Sequence, residues 1–391
     1  MAMRGDAGVA VPARPDPARP AILELFFDLA FVFVLIALSE KLLSELTWVG
    51  AWQTLILLLA FSLLWALTAW AGDVVDLSEP LIGPQIVVVM AGSLLLASAV
   101  VDAYGNSGLL FAIVYVTTSL TKGVYYLLIV PNPALKLRVR RILFWQAAAA
   151  APWILGGLLA GTTRGVLWAA AVAVEYTGVV LGWPTPWSWC RLPSAAEVVG
   201  ERIAERYRQF IIVALGVSIF LTGRSFSLSG FTTDQAWALA VVFTITVMIW
   251  RIYIYRAGDQ LTSVIATSAN PARLREIIAF VHLIMVAGIL CTAVTSQLVI
   301  ERPFGDTPTS WAAVIHGGPG LFLIGRVLLD YTLFGRVDLV RLSGLLLLAG
   351  LAPAAPLLPP VMAALVVMVI LIAVATGNLV GDRIRPPTPA P

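Results

Sequence analysis

The chain of 391 residues is 60% hydrophobic and only 12% charged, with mean hydropathy +0.92 and a formal net charge of +3. An ordinary soluble domain carries about 25% charged residues, so too little polar surface is left for a soluble globule and the chain belongs in a bilayer. Two cysteines, Cys190 and Cys291, stand outside any CxxC spacing, and His282 and His316 are the only histidines, which excludes a disulfide framework and argues against a zinc or multi-histidine centre. No cofactor is expected.

Residues 1–21, rich in Pro, Ala and Arg, read as a disordered cytoplasmic tail, without the apolar stretch and small-residue cleavage site of a signal peptide. A spanning helix needs about 20 mainly apolar residues, because a rise of 1.5 Å per residue must cross about 30 Å of hydrocarbon. Twelve stretches qualify: 22–43, 49–70, 81–101, 108–130, 141–160, 165–183, 209–224, 235–256, 275–298, 309–330, 338–357 and 359–379. The seventh is short and opens in charged sequence. Only APLLPP divides the eleventh from the twelfth, which predicts a tight hairpin or a broken helix. The fold class expected is an all-α polytopic membrane bundle of about twelve spans.

Lys and Arg in short loops set orientation. Lys136, Arg138, Arg140 and Arg141 follow the fourth span, and Arg191, Arg202, Arg206 and Arg208 the sixth. Arg256, Arg273 and Arg275 follow the eighth, and Arg336 and Arg341 the tenth. The opposite loops hold about one each: Lys41, Arg164, Arg224 and Arg302. This bias puts both termini in the cytoplasm of an inner-membrane protein, which requires an even number of spans. Topology thus accounts for the basic balance, and no nucleic-acid partner is expected.

The chain also reads as duplicated. Ala51, Trp52 and Trp65 of the second span match Ala236, Trp237 and Trp250 of the eighth at one constant offset, and MAGSLLLASAV of the third resembles MVAGILCTAV of the ninth. Residues 22–190 and 191–380 would be two six-span repeats in parallel, a known transporter plan, followed by a second tail at 381–391.

Charges at membrane depth mark pathways or pairings. Glu24 and Asp28, four apart in ELFFDLAFV, share one helix face. They are candidates to hold a proton or a cation, or to pair with an Arg of another helix. In ERIAERYRQF, the charges of Glu205 and Arg206 open the seventh span, and Arg206 is the expected partner of Glu24 or Asp28 across the halves. Lys122 and Glu175 lie mid-span in the fourth and sixth. Arg326 and Asp330, four apart, suit an intrahelical pair. His282 reads as a hydrogen-bonded packing residue or a proton relay. His316 opens HGGPG, read either as a turn or unwound entry to the tenth span, or as glycines for close helix packing. Tyr253 and Tyr255 read as interfacial aromatics. GxSxG, HExxH and P-loop motifs are missing.

Several of these segments together resemble the bacterial low temperature requirement A (LtrA) family: ELFFDLAFVFVLIALS at 24–39, ERYRQFIIVALGVSI at 205–219, HLIMVAGI at 282–289 and GGPGLFLIG at 317–325. The resemblance covers most of the chain in one order and implies a polytopic membrane protein, with little about mechanism. Departures fall in the second half. Gly216, Val217 and Ser218 stand where the family pattern has Gly-Glu-Ser, Arg202 where it has His, and Tyr253, Ile254 and Tyr255 where it has Tyr-Phe-Asp.

The leading expectation is a passive or secondary transporter or channel for protons, cations or a small solute. Glu24, Asp28, Glu205, Arg206, Glu175 and His282 would form its pathway. One alternative is a membrane-embedded enzyme or accessory factor acting on a lipid or an apolar metabolite, with Glu175, His282 and Asp28 converging; the other is a structural or regulatory membrane protein. The lipid bilayer is the one definite partner, and self-association stays open.

Overall fold

The computed structural model describes residues 18–74, 82–130, 132–186, 200–267 and 271–384, with side chains for 25–71, 83–130, 132–186, 205–254 and 273–377. Cys190 and the side chains of Glu24, Arg202 and Tyr255 lie outside the described residues. Among the described residues the chain forms twelve α-helices. They are α1 (Ala18–Ser44), α2 (Trp48–Val74), α3 (Ile82–Val100), α4 (Gly108–Ile129), α5 (Pro133–Leu158) and α6 (Thr162–Leu181), then α7 (Gly200–Leu228), α8 (Thr233–Thr267), α9 (Pro271–Glu301), α10 (Thr309–Phe334), α11 (Leu339–Leu351) and α12 (Pro360–Ile384). In lipid the backbone must satisfy its own polar groups, and a helix does so within one segment.

Ten of these helices are long and apolar enough to cross a membrane. The other two are α1, with Asp28, Glu40 and Lys41, and α5, with Lys136, Arg138, Arg140 and Arg141 in its opening turns. Helix ends follow local chemistry. Asn132 accepts the amides of Ala134 and Leu135 to start α5, with Pro133 in the first turn, and Asp338 accepts those of Val340 and Arg341 to start α11. Gly182 and Gly335 end α6 and α10 at φ 74° and 64°, the left-handed region that glycine enters without strain.

Packing follows a recurring scheme. In the first six helices α1 touches α2 and α3, α3 touches α4, α4 touches α5, α5 touches α6, and α2 touches α6. In the last six α7 touches α8 and α9, α9 touches α10, α10 touches α11, α11 touches α12, and α8 touches α12. The two sets meet where α1 and α2 lie against α7 and α9.

Two expectations change at this level and a third is decided. The seventh span is not short: α7 continues through the charged sequence, and residues Glu205–Leu228 are apolar enough to cross. α10 is continuous through HGGPG and its Pro319, so the turn or unwound entry is overturned in favour of close packing. A Cβ on Gly288 would sit 2.5 Å from the Phe322 amide nitrogen and 2.6 Å from the Gly318 carbonyl oxygen, and one on Gly325 would be 3.1 Å from the Val281 carbonyl. Backbones of α9 and α10 therefore touch directly. After α11 the chain tightens into a 3-10 turn, Ala352–Leu357, and returns in α12 as a hairpin. Its turn is tied to the α9–α10 loop by Thr307 Oγ1 donating to the Leu358 carbonyl at 2.6 Å.

Candidate functional site

The contact between the two sets of helices is a seam along α1 and α7, which run parallel. Near their N-termini, Asp28 and Arg206 are both buried. Arg206 meets the carboxylate with both terminal nitrogens: Nη2 lies 3.2 Å from Oδ1 and Nη1 3.3 Å from Oδ2. Trp65 of α2 donates its indole N–H to Oδ1 at 2.9 Å. The guanidinium also faces the rings of Phe27 and Trp65, at 5.8 and 5.7 Å from their centroids. Trp65 stacks on Phe210 of α7 at 4.3 Å, so the charge pair sits inside an aromatic wall. The ion pair expected from the sequence is present, with Asp28 as the acid.

Beyond that wall Tyr207 of α7 packs on the His282 ring of α9 at 5.0 Å. His282 Nδ1 lies 2.8 Å from the Ile278 carbonyl, which can only accept, so Nδ1 carries the proton. In the neutral ring Nε2 then accepts from the Tyr253 hydroxyl at 3.2 Å. Tyr253 is therefore not an interfacial aromatic: it is buried, because α8 turns this face onto α9. One residue earlier, the Ile252 carbonyl accepts from Arg326 Nε at 3.3 Å. Arg326 also bonds Asp330 at 2.6 Å, the intrahelical pair its spacing suggested. Asp330 takes Arg341 of α11 as a second partner, which in turn lies 3.2 Å from Asp338.

At the other end of the seam Glu40 of α1 meets Arg224 of α7 at 2.5 Å, both partly exposed. Between the two pairs the buried residues are mainly apolar, with Phe31, Val34, Leu35 and Leu38 on α1 and Ile211, Ala214 and Leu215 on α7. Phe31 meets Phe210 of α7 edge-on at 6.4 Å, and Ser39, Ser218 and Thr222 are buried on the same helices. Val217, where the family pattern has an acid, is also buried, and Ser218 bonds Thr246 of α8 at 3.2 Å.

The remaining candidates lie elsewhere. Glu205 faces away from Asp28 and bonds Arg208 on its own helix. Glu175, 1% exposed, is in the interior of the first six helices and accepts the Tyr115 hydroxyl at 3.0 Å. Glu24 is on α1 with its side chain outside the described residues. Among the described residues no group of three His, Cys, Asp or Glu side chains could hold a metal. Sequence reasoning missed Trp65, the Tyr253–His282 bond and the Glu40–Arg224 pair. The match of Trp65 to Trp250 in the repeat comparison was the one available signal for the tryptophan.

The helices and their buried charges define a multi-pass α-helical membrane protein. Residues 20–376 match the family described as bacterial low temperature requirement A protein (LtrA), and the chain belongs to that family. One relative, the uncharacterised protein RA0937 of Rhizobium meliloti (strain 1021), is 31% identical over 318 residues, covering 80% of this chain and 77% of that protein. No solved structure matches the chain.

Proposed function

We propose that this protein is a passive or secondary transporter or channel for protons, cations or a small solute, in the inner membrane with both termini cytoplasmic. Its helices α1–α6 and α7–α12 are read as parallel repeats, supported by the recurrence of the same helix pairs in both sets. The observation that carries the transport reading is the seam between them. It is tied at each end by a carboxylate of α1 and an arginine of α7, Asp28 with Arg206 and Glu40 with Arg224, with mainly apolar buried side chains on the two helices in between. Ionic ties at opposite ends of one inter-repeat contact suit a pathway opened from one side at a time by one repeat rocking against the other. The pathway residues are Asp28 and Arg206, with Glu24 on the same helix and His282 beyond the aromatic wall; Glu205 and Glu175, also candidates from the sequence, lie away from the seam.

The enzyme reading needs Asp28, His282 and Glu175 on one centre. Their partners are three different sets: Arg206 and Trp65, Tyr253 and Ile278, and Tyr115. That separation weighs against it. A purely structural role predicts that every buried charge is paired, and Lys122 and Glu175 make no ion pair at contact distance among the described residues.

The test is flux in proteoliposomes with a pH-sensitive dye and imposed cation gradients, comparing the parent with Asp28→Asn and with Glu24→Gln/Asp28→Asn. Flux in the parent and its loss or marked change in the variants supports the reading. Unchanged flux in folded variants removes Asp28 from the pathway, and no flux in a folded parent removes the reading. The topology has a separate test: reporters fused to either terminus must both score as cytoplasmic.

A further inference from the structure

The interior of α1–α6 holds a second polar centre, apart from the seam. α4 carries Tyr115, Ser119, Lys122 and Tyr126 along one buried stripe, at spacings of four, three and four residues. Lys122 Nζ reaches the Thr68 hydroxyl at 3.3 Å and the Leu64 carbonyl at 3.4 Å, both on α2 and both long for a charged donor. An ammonium has three donors, so one is left over. Glu175 of α6 takes the Tyr115 hydroxyl on Oε2 and has the Trp153 indole beside it, and a carboxylate's two oxygens have lone pairs for a further donor. Lys122 and Glu175 are 3% and 1% exposed and lie within each other's electrostatic reach without touching.

The buried polar atoms of α4 and α5 without a hydrogen-bond partner of normal geometry include Ser119 Oγ, Gln146 Oε1, the Tyr126 hydroxyl and Trp153 Nε1. The antiparallel packing of α4 on α5 sets Gly157 against Gly108 and Ala112, and Gly123 against Leu143. That register brings Gln146 level with Ser119 and Lys122. Besides Lys122, the buried titratable groups of these helices are Tyr115 and Tyr126 on α4, Arg141 on α5, and Arg164 and Glu175 on α6, while the part-buried Tyr176 bonds the Leu59 carbonyl and packs on Phe280 of α9; α2 and α3 contribute none among their described side chains.

We infer that water bridges Lys122 to Glu175 and that one proton moves along this bridge, which gives α1–α6 a proton-binding site of their own. A buried water needs two to four polar partners, and the ammonium, Ser119, Gln146 and the carboxylate supply them. In the transfer an N–H bond of the Lys122 ammonium breaks and an O–H bond forms on Glu175, with the electron pair left on nitrogen. The pair passes from two separated charges to two neutral groups, and no oxidant or reductant is needed. Separated charges in low dielectric are disfavoured and direct contact is denied to this pair, so the neutral form competes. This goes beyond the transport reading and stands whether or not the seam opens.

The test is infrared difference spectroscopy of the whole protein in liposomes, stepped between acid and alkaline pH in H2O and in D2O. The parent should show a carboxylic-acid carbonyl stretch that shifts on deuteration and titrates with pH. Glu175→Gln, which keeps an acceptor for Tyr115, should lose that band, and Asp28→Asn should retain it. Lys122→Met should hold the band protonated across the whole range, because the remaining carboxylate has no cation to donate to it or balance it. A Glu175→Gln spectrum identical to the parent overturns the inference. So does a parent without the band, or a Lys122→Met band that titrates as the parent's does. If Glu175→Gln fails to fold, the Lys122→Met comparison decides alone. The readout is binding, so it is independent of any flux result.

Discussion

The two ends of the α1–α7 seam carry the same chemistry, a carboxylate on α1 and an arginine on α7, in opposite surroundings. Asp28 and Arg206 have side chains 1% and 4% exposed, whereas Glu40 and Arg224 are 37% and 48% exposed. The exposed contact is the shorter one, 2.5 Å against 3.2 Å, so distance does not rank them. Environment does. Two unit charges about 4 Å apart attract by ~1 kcal/mol in water and ~4 kcal/mol at an effective dielectric of 20. The buried pair also has the Trp65 N–H and an aromatic wall that keeps water out. It is costly to open because both charges must be left unpaired or rehydrated. The exposed pair exchanges one partner for water at little cost.

The largest expected effect tests that difference directly. Arg206→Ala leaves Asp28 buried without its fork of donors, and should lower stability by about 3–5 kcal/mol in detergent unfolding. A loss comparable to a surface substitution would mean that water reaches Asp28 and that the two ends are alike. Next is Trp65→Phe, which keeps a ring against Phe210 and removes only the N–H. A hydrogen bond to a charged group predicts a loss of about 1.5–3 kcal/mol, read from the same unfolding curves. The double variant Asp28→Leu/Arg206→Met separates the penalty of breaking the pair from its net worth. It should recover to within about 1–2 kcal/mol of the parent or exceed it, while any flux that depends on the pair stays lost. The smallest effect is at the other end: Glu40→Gln should change stability by about 0.2–1 kcal/mol. That change should vanish near 1 M salt, where the screening length falls to about 3 Å.

Much of the fold was legible because the bilayer imposes one length and one backbone solution on every span. The twelve stretches correspond to the twelve helices, with the starts of α5 and α7 and the end of α8 displaced outward, because charged residues can continue a helix that apolar counting stops. Asp28–Arg206 was legible for a related reason: an acid within an apolar face must find a cation, and Arg206 opened the next repeat-like segment. The Glu40–Arg224 pair was not, since nothing in either helix alone tells which neighbour it faces. Tyr253 was misread because a tyrosine near a span end suits both an interface and a buried bond, and only the packing of α8 on α9 decides. The Arg326–Asp330 spacing announced its pair, whereas Arg341 joined it from another helix. HGGPG was ambiguous in the same way: proline and glycine can break a helix, but at Gly288 and Gly318 backbone contact with the neighbour holds α10 together.

That backbone contact has a mechanical consequence. Most helix pairs are separated by a layer of side chains whose rotamers shift to absorb small displacements. Between α9 and α10 this cushion is missing around Gly288 and Gly318, so neither sliding nor tilting can be taken up locally. The two helices behave as one stiff strut, braced at its far end by the Thr307–Leu358 tie. Displacement between helices then falls to contacts cushioned by larger side chains, such as Phe31 against Phe210 across α1 and α7.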